Sequence, residues 1–346
     1  METRGLAWSY GDLRCILRPM RKTSSICLAD CSRNLFAIFC LVLLTSLRVI
    51  ADVSDIPHSF GYVLQADARW KTRPDAVREL AACDRDWIVV DAAYTSEADG
   101  RWTKSDLDTI RMGKSGRRVL AYLSIGEAEE YQSYWKKAWD ADRDGKPDAG
   151  APGFLMAENP DWHGNYRVRY WHKEWQAIML AEIDRIVEQG FDGIYLDIVD
   201  AFETFEFDGK DWIDDRRNEE TGKTYRADMI TWVTTIGQRI RVGDSSRLLI
   251  PQNGSQLVSD DAFRNLISGI GMEDVFTNGN RAQKTNQSKP RVKDMEPLVK
   301  AGKPVLLIEY PKKQELRQTV IDNARSNHFV WLITDRQLKT LGESGN

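Results

Sequence analysis

Cysteine is nearly absent from the body of this chain. Five cysteines occur in 346 residues, and Cys15, Cys27, Cys31 and Cys40 all lie near the N-terminus. Only Cys83 remains, which excludes an internal disulfide there and a Cys-rich zinc site. Its place after Leu80-Ala81-Ala82 predicts a packed thiol on a helix. Histidine is equally scarce. His58, His163, His172 and His328 are the full set, and none ends an apolar run, so a zinc hydrolase has no ligand set. No Gly-x-Gly-x-x-Gly follows the first strand and no Gly-x-Ser-x-Gly occurs, which argues against a dinucleotide-binding sheet and a nucleophile elbow. No lysine ends a strand, so Schiff-base chemistry lacks its amine. The segments Pro311-Lys312-Lys313 and Arg336-Gln337 lack the glycines of a phosphate cradle.

Long apolar runs are also missing. The mean hydropathy of −0.47 excludes a polytopic membrane protein. The one membrane-like stretch, Leu35 to Leu47, is too short to span comfortably. It follows Arg14, Arg18, Arg21, Lys22 and Arg33 and precedes Ala51, so residues 1–51 are expected to be a signal peptide or N-terminal leader. An uncleaved anchor is the alternative, and only that would bring a membrane into play. Met20-Arg21-Lys22 would open a more ordinary basic region than Met1 does. The expected location is secreted or periplasmic. Residues 1–51 carry a net charge of +4 against −4 for the whole chain, which leaves −8 on the remainder. An acidic exported protein is a poor nucleic-acid binder and a better host for a neutral or cationic partner. It is expected to act as a monomer.

What the chain has in plenty is apolar runs alternating with helical stretches. The runs begin at Phe60, Trp87, Val119, Gly193, Leu248, Gly271, Pro304 and Phe329. Helical segments are expected at 72–83, 105–112, 171–189, 227–242, 261–267, 291–301 and 314–326. Ser105 is read as a helix cap, and Gly190 as a helix C-cap. Eight units of this kind predict an α/β fold, a (β/α)8 TIM barrel occupying residues 58–340, with an open doubly wound sheet as runner-up. A long aromatic-rich insertion, 131–172, follows the third strand.

Barrel function lies at the C-terminal ends of the strands. The fourth strand ends abruptly in Asp197 and Asp200, with Glu203 and Glu206 close behind. The other strand-end candidates are Asp91, Tyr94, Tyr122, Glu127, Asn253, Glu273, Glu309, Tyr310 and Asp335. Carboxylates without metal-binding His, nucleophilic Ser or a phosphate loop point to glycoside hydrolysis, in which two acids flank the bond. Burial and mutual repulsion would raise the pKa of one and supply the proton donor. No cofactor is expected. Two other readings stay open: a non-catalytic glycan-binding barrel, and a metal-dependent sugar lyase or isomerase.

The insertion carries Trp135, Trp139, Trp162, Tyr166, Tyr170 and Trp171, rings suited to a glycan cleft or to pinning the loop. Within it, Asp140-Ala141-Asp142-Arg143-Asp144-Gly145 resembles the start of a calcium loop, but Ala151 stands where the twelfth-position Glu belongs. A solvated turn is the better reading, and no metal site is expected.

Taken together, Tyr122-Leu-Ser-Ile-Gly-Glu-Ala-Glu129, Gly190-Phe-Asp-Gly-Ile-Tyr-Leu-Asp-Ile-Val-Asp200 and Glu309-Tyr310 resemble glycoside hydrolase family 114. The resemblance covers about residues 58 to 340. It implies a (β/α)8 barrel and an endo-α-1,4-polygalactosaminidase-like activity on a galactosamine-rich polysaccharide. It matches Asp197 and Glu273 to the catalytic acids, and gives Asp91, Glu127, Asn253 and Tyr310 places in the cleft. A partly deacetylated galactosamine polymer is cationic, which suits an acidic barrel mouth.

Overall fold

The computed structural model describes residues 56–97 and 100–346, which form one compact unit. The expected leader, 1–51, lies outside the described residues. Among the described residues no helix is long and apolar enough to cross a membrane.

Eight parallel strands form the ring: β1 (Phe60–Val63), β2 (Trp87–Asp91), β3 (Arg118–Ser124), β4 (Gly193–Asp197), β5 (Leu248–Pro251), β6 (Ile270–Glu273), β7 (Val305–Glu309) and β8 (Val330–Ile333). They are hydrogen-bonded in two arcs, β1 to β5 and β6 to β8. The arcs meet between β5 and β6 at a single parallel bridge, Gln252 to Gly271. At the other seam β1 lies against β8 without a continuous ladder. There Leu64 N donates to Leu338 O over 2.9 Å, and Phe60 N donates to Ser344 Oγ over 2.9 Å. Ser344 belongs to a short strand, Glu343–Gly345, antiparallel to β8. That strand lies beyond the boundary expected at residue 340. The fold is the (β/α)8 barrel read from the sequence.

Side-chain alternation divides the strands into two apolar layers, as a period of two requires. Residues such as Tyr62, Val89, Leu120, Tyr195, Ile308 and Leu332 join in one buried cluster that fills the ring. Their neighbours of opposite parity, such as Val63, Val90, Ala121, Leu196, Leu307 and Ile333, pack outward in a second cluster with the helices. Strand β6 contributes Gly271 to the inner layer. A Cβ there would lie 1.7 Å from Tyr195 Oη and 2.4 Å from Gln252 Oε1. The Tyr195 phenol therefore occupies the volume that a side chain on β6 would need.

Helices α1 (Arg73–Ala82), α2 (Lys104–Met112), α3 (Lys173–Gln189), α4 (Tyr225–Ile240), α5 (Asp261–Leu266), α6 (Thr285–Lys300) and α7 (Gln314–Ser326) connect the strands. The cap of α2 is Thr103, not Ser105. Thr103 Oγ1 accepts from Asp106 N over 3.1 Å, and Thr103 N donates to Asp106 Oδ2 over 2.8 Å, which completes a capping box, whereas Asp108, three residues after Ser105, pairs with Lys104 and Arg111. Helix α6 starts six residues before the expected Arg291, with Pro290 and Pro297 inside it. Gly190 ends α3 at φ 89°, the left-handed conformation a C-cap requires.

The insertion after β3 is not irregular. Glu127–Glu129, Asn165–Val168 and Leu155–Glu158 form a three-stranded antiparallel sheet in that order. Most of its aromatics pack. Tyr166 and Tyr170 are buried, and Trp139 stands edge-on to Phe154 with centroids 5.7 Å apart. Trp162, 50% exposed, and Tyr131, 47% exposed, are the exceptions.

Candidate active site

The inward-facing residues at the strand ends converge on one rim. Asp197 and Glu273 both have inward parity, two residues beyond Tyr195 and Gly271. Tyr122 donates to Asp197 Oδ2 over 2.8 Å, and Ile198 N donates to Asp197 Oδ1 over 2.8 Å. Glu273 is held in the same way: Tyr310 donates to Oε2 over 2.7 Å, and Asn253 Nδ2 reaches Oε1 at 3.3 Å. Each carboxylate thus has a tyrosine hydroxyl from the preceding or following strand of the ring.

Backbone strain accompanies this arrangement. The residue after each of three successive inward side chains is left-handed: Ile198 at φ 56°, Asn253 at 60° and Asp274 at 51°. For the β-branched Ile198 this conformation is costly, and such costs gather at functional sites. The kink turns Ile198 O toward β3, where only a glycine fits. A Cβ on Gly126 would lie 2.3 Å from that oxygen. Asp274 is anchored by two bonds from Arg336, each 2.8 Å, and the Arg336 guanidinium lies 4.2 Å from the Tyr310 ring centroid. Arg291 of α6 donates to Glu273 O over 2.9 Å and to Asp274 O over 3.0 Å.

Burial pushes the Asp197 carboxyl up to about 7, and the nearby charge of Glu273 adds to it. The bonds from Tyr122 and Ile198 oppose that rise and are outweighed. Asp200 is driven well above the usual carboxylate range by burial first, then by Glu203, Asp197 and Glu273. It belongs to the same anionic group. Of the acids behind it, Glu206 pairs with Arg226 and Glu203 accepts from Gln256 over 2.7 Å, so both turn to structural work.

The remaining candidates divide. Asp91 accepts a 2.6 Å bond from Gln65 N, and burial raises it to about 6. Tyr94 donates to Trp70 O over 2.6 Å and stands beside Asp91 on a cavity wall. Glu127 is buried beneath two amides, Asn159 Nδ2 at 2.8 Å and Asn165 Nδ2 at 3.2 Å. Its charge still reaches Asp197. Glu309 departs from expectation. It has outward parity, is fully buried, and accepts from Phe276 N at 2.7 Å, from Thr277 N at 3.0 Å and from the Thr277 hydroxyl. It pins the turn behind Glu273 rather than facing the cleft. Asp335 anchors its own turn, accepting from Gln337 N and Lys339 N, both at 3.1 Å.

Two contributors escape a reading of strand ends. Glu129 accepts from Tyr131 over 2.6 Å and from Gln132 over 3.0 Å, with Tyr122 Oη at 3.5 Å. Burial raises it to about 8, with Asp91 and Asp197 adding to the rise. Tyr62 lies under the site, its ring 4.9 Å from that of Tyr195 and 6.3 Å from that of Tyr122. Counting inward parity back from the strand ends would have found Tyr62.

In the insertion, carboxylate oxygens of Asp140, Asp142 and Asp148 lie within 4.8 Å of one another, a donor set that could hold a cation. Their bonds belong to the turn. Asp140 accepts from Gly145 N at 3.0 Å and from the Tyr166 hydroxyl, and Asp148 accepts from Ala141 N at 2.6 Å.

Comparison with known proteins gives the family and the fold. The model of glycoside-hydrolase family GH114 matches residues 65–345. An uncharacterized protein of Deinococcus radiodurans is 34% identical over 233 residues, 67% of this chain and 68% of that protein. The uncharacterized protein MJ1477 of Methanocaldococcus jannaschii is 33% identical over 238 residues, 68% of this chain and 63% of its own length. Among solved structures, the glycoside hydrolase domain of PelA from Pseudomonas aeruginosa superposes with a TM-score of 0.57 at 18% identity, covering 83% of this chain and 98% of that one. Aspergillus fumigatus Ega3, solved in complex with galactosamine, gives 0.57 at 18% identity over 83% of this chain and 94% of its own.

Proposed function

The chain belongs to glycoside-hydrolase family GH114, and from that membership we propose that it is an exported endo-acting hydrolase of a galactosamine-rich polysaccharide. Asp197 and Glu273 are its reacting acids. The observation that carries this reading is the pair itself: two inward carboxyl groups on one rim, each held by one tyrosine hydroxyl, with the charge of one raising the pKa of the other.

Glycoside hydrolysis needs one carboxyl group that gives a proton to the leaving oxygen and one that attacks the sugar or activates water. Burial and the charge of Glu273 favour the protonated form of Asp197, which can then supply the proton near neutral pH. The tyrosines fix the orientation of each carboxyl group, and Tyr195 and Tyr62 close the space beneath. The galactosamine bound to Ega3 supports an amino-sugar substrate here, and so does the acidic mouth, where Asp91, Glu129, Asp197 and Asp200 crowd together.

The test is incubation with a partly deacetylated α-1,4-galactosamine polymer, followed by sizing of the products. Internal cleavage by the natural protein, lost in Asp197→Asn and in Glu273→Gln, is the expected result. Absence of cleavage on every amino-sugar polymer sinks the reading. Sequencing the mature N-terminus after expression in a secreting host tests the leader, and a start near residue 52 is expected.

A further inference from the structure

Beside the reacting pair, where β1, β2 and β3 end, lies a cavity of about 770 Å³. That is the size of a small-molecule site, roughly 300–1,000 Å³. Asp91 and Tyr122 line it, with Gln65 and Asp67 from the short helical turn after β1, Tyr94 from the loop after β2, and Tyr131 from the insertion. Tyr122 joins it to the catalytic centre, because its hydroxyl rests on Asp197 while its side chain forms part of the cavity wall.

The charges in this cavity are unbalanced. Asp91 accepts one hydrogen bond, from the Gln65 amide to Oδ2, and no Lys or Arg among the described residues forms an ion pair with it. Gln65 adopts a left-handed conformation, φ 52°, to aim that amide. The cations that do line the cavity, Arg101 and Arg185, are both committed to Glu182 at its far end. Glu129 stands behind the wall, holding Tyr131 from the other side. A partly buried carboxylate without a cation is a group waiting for one.

We propose that this cavity is a subsite for a sugar adjacent to the one being cleaved, and that Asp91 binds the free amino group of that sugar as an ammonium ion. The inference rests on the amino-sugar hydrolase reading and adds the group that distinguishes a free amine from an acetamide. An ammonium brings positive charge and three donors to Asp91, whereas an acetamide brings one N–H and a carbonyl oxygen that a carboxylate repels. The faces of Tyr94 and Tyr131 offer apolar surface to the pyranose ring.

The test compares kcat/KM on fully deacetylated and fully N-acetylated α-1,4-galactosamine oligomers for the natural protein, Asp91→Asn and Asp67→Lys. Asp91→Asn keeps an oxygen for the Gln65 amide and removes the charge. Asp67→Lys places an exposed ammonium beside Asp91 as a competitor. The natural protein should prefer the deacetylated oligomer, and both variants should cut that preference at least tenfold through KM. A natural preference for the acetylated oligomer, or an unchanged preference in the folded variants, overturns the proposal. If Asp91→Asn does not fold, Asp67→Lys decides by the same criterion. If the natural protein cleaves neither oligomer, the hydrolase reading fails on its own. Calorimetric binding of the deacetylated oligomer then judges the subsite: tenfold weaker binding by Asp91→Asn supports it, and equal binding overturns it.

Discussion

Tyr122 donates its phenolic hydrogen to Asp197 Oδ2 over 2.8 Å, across the boundary between the third and fourth strands of the ring. The bond favours the ionised form of Asp197 and so restrains a carboxyl group that burial pushes upward. Tyr122→Phe removes the restraint. The expected result is a roughly tenfold loss of kcat, below the roughly 10²–10⁴-fold that a group transferring the proton itself contributes, and an alkaline limb of the pH–rate profile moved to higher pH. An unmoved limb would show that the hydroxyl does not govern Asp197.

In the natural protein that limb should lie near pH 7. Asp197 is raised to about 7, and above that value it no longer holds a proton for the leaving oxygen. Initial rates of polymer cleavage between pH 4 and 9 check this. A rate still rising at pH 9 contradicts the two-carboxyl scheme.

Stability should fall as pH rises. Glu129, Glu309 and Asp91 have folded-state values of about 8, about 7 and about 6, all above those of an unfolded carboxyl. Between roughly pH 4 and 8 the folded chain therefore holds more protons than the unfolded one, and the linkage slope is negative. The penalty is absent below the unfolded values and complete above the folded ones. Glu129→Gln should raise Tm at pH 8.5, by about 2–4 °C for each kcal/mol relieved, and leave it unchanged at pH 4. Thermal melts by circular dichroism at the two pH values decide.

Gly271→Ala should be severely destabilising. The added carbon would lie 1.7 Å from Tyr195 Oη and 2.6 Å from its Cζ. Overpacking of a filled core costs about 1–3 kcal/mol and sometimes more. A double variant with Tyr195→Ala should lose much less than the sum of the two single variants, because the residues compete for one volume. Denaturant melts of the four proteins measure the coupling.

The ring was legible because each strand is an apolar run closed by a polar stop. Asp197 and Glu273 were legible as the stops of the fourth and sixth runs. Parity was harder to read. Glu309 ends the seventh run as Asp197 ends the fourth, but it sits one register step from the inward Ile308 and Tyr310. A one-residue slip sends a strand-end carboxyl to the opposite face. Glu129 was hidden because its strand is only three residues long, Glu127–Glu129, and draws its meaning from partners at Tyr131 and Gln132. The insertion sheet was hidden for the same reason: its strands of three or four residues are too short for a period to show. Both Thr103 and Ser105 have an Asp three residues on, so spacing could not choose between them; in the fold Asp106 closes the reciprocal bond to Thr103, while Asp108 pairs with Lys104 and Arg111.

The Tyr195 ring seated on Gly271 makes the lumen a vessel with a stopper. Nothing can drain through the axis of the ring, so water, protons and cut chain must all exchange over the single lip where the strands stop. The small sheet between β3 and α3 borders that lip. Changes that loosen or tighten its seating should alter how fast the enzyme empties and refills before they alter the bond-breaking step.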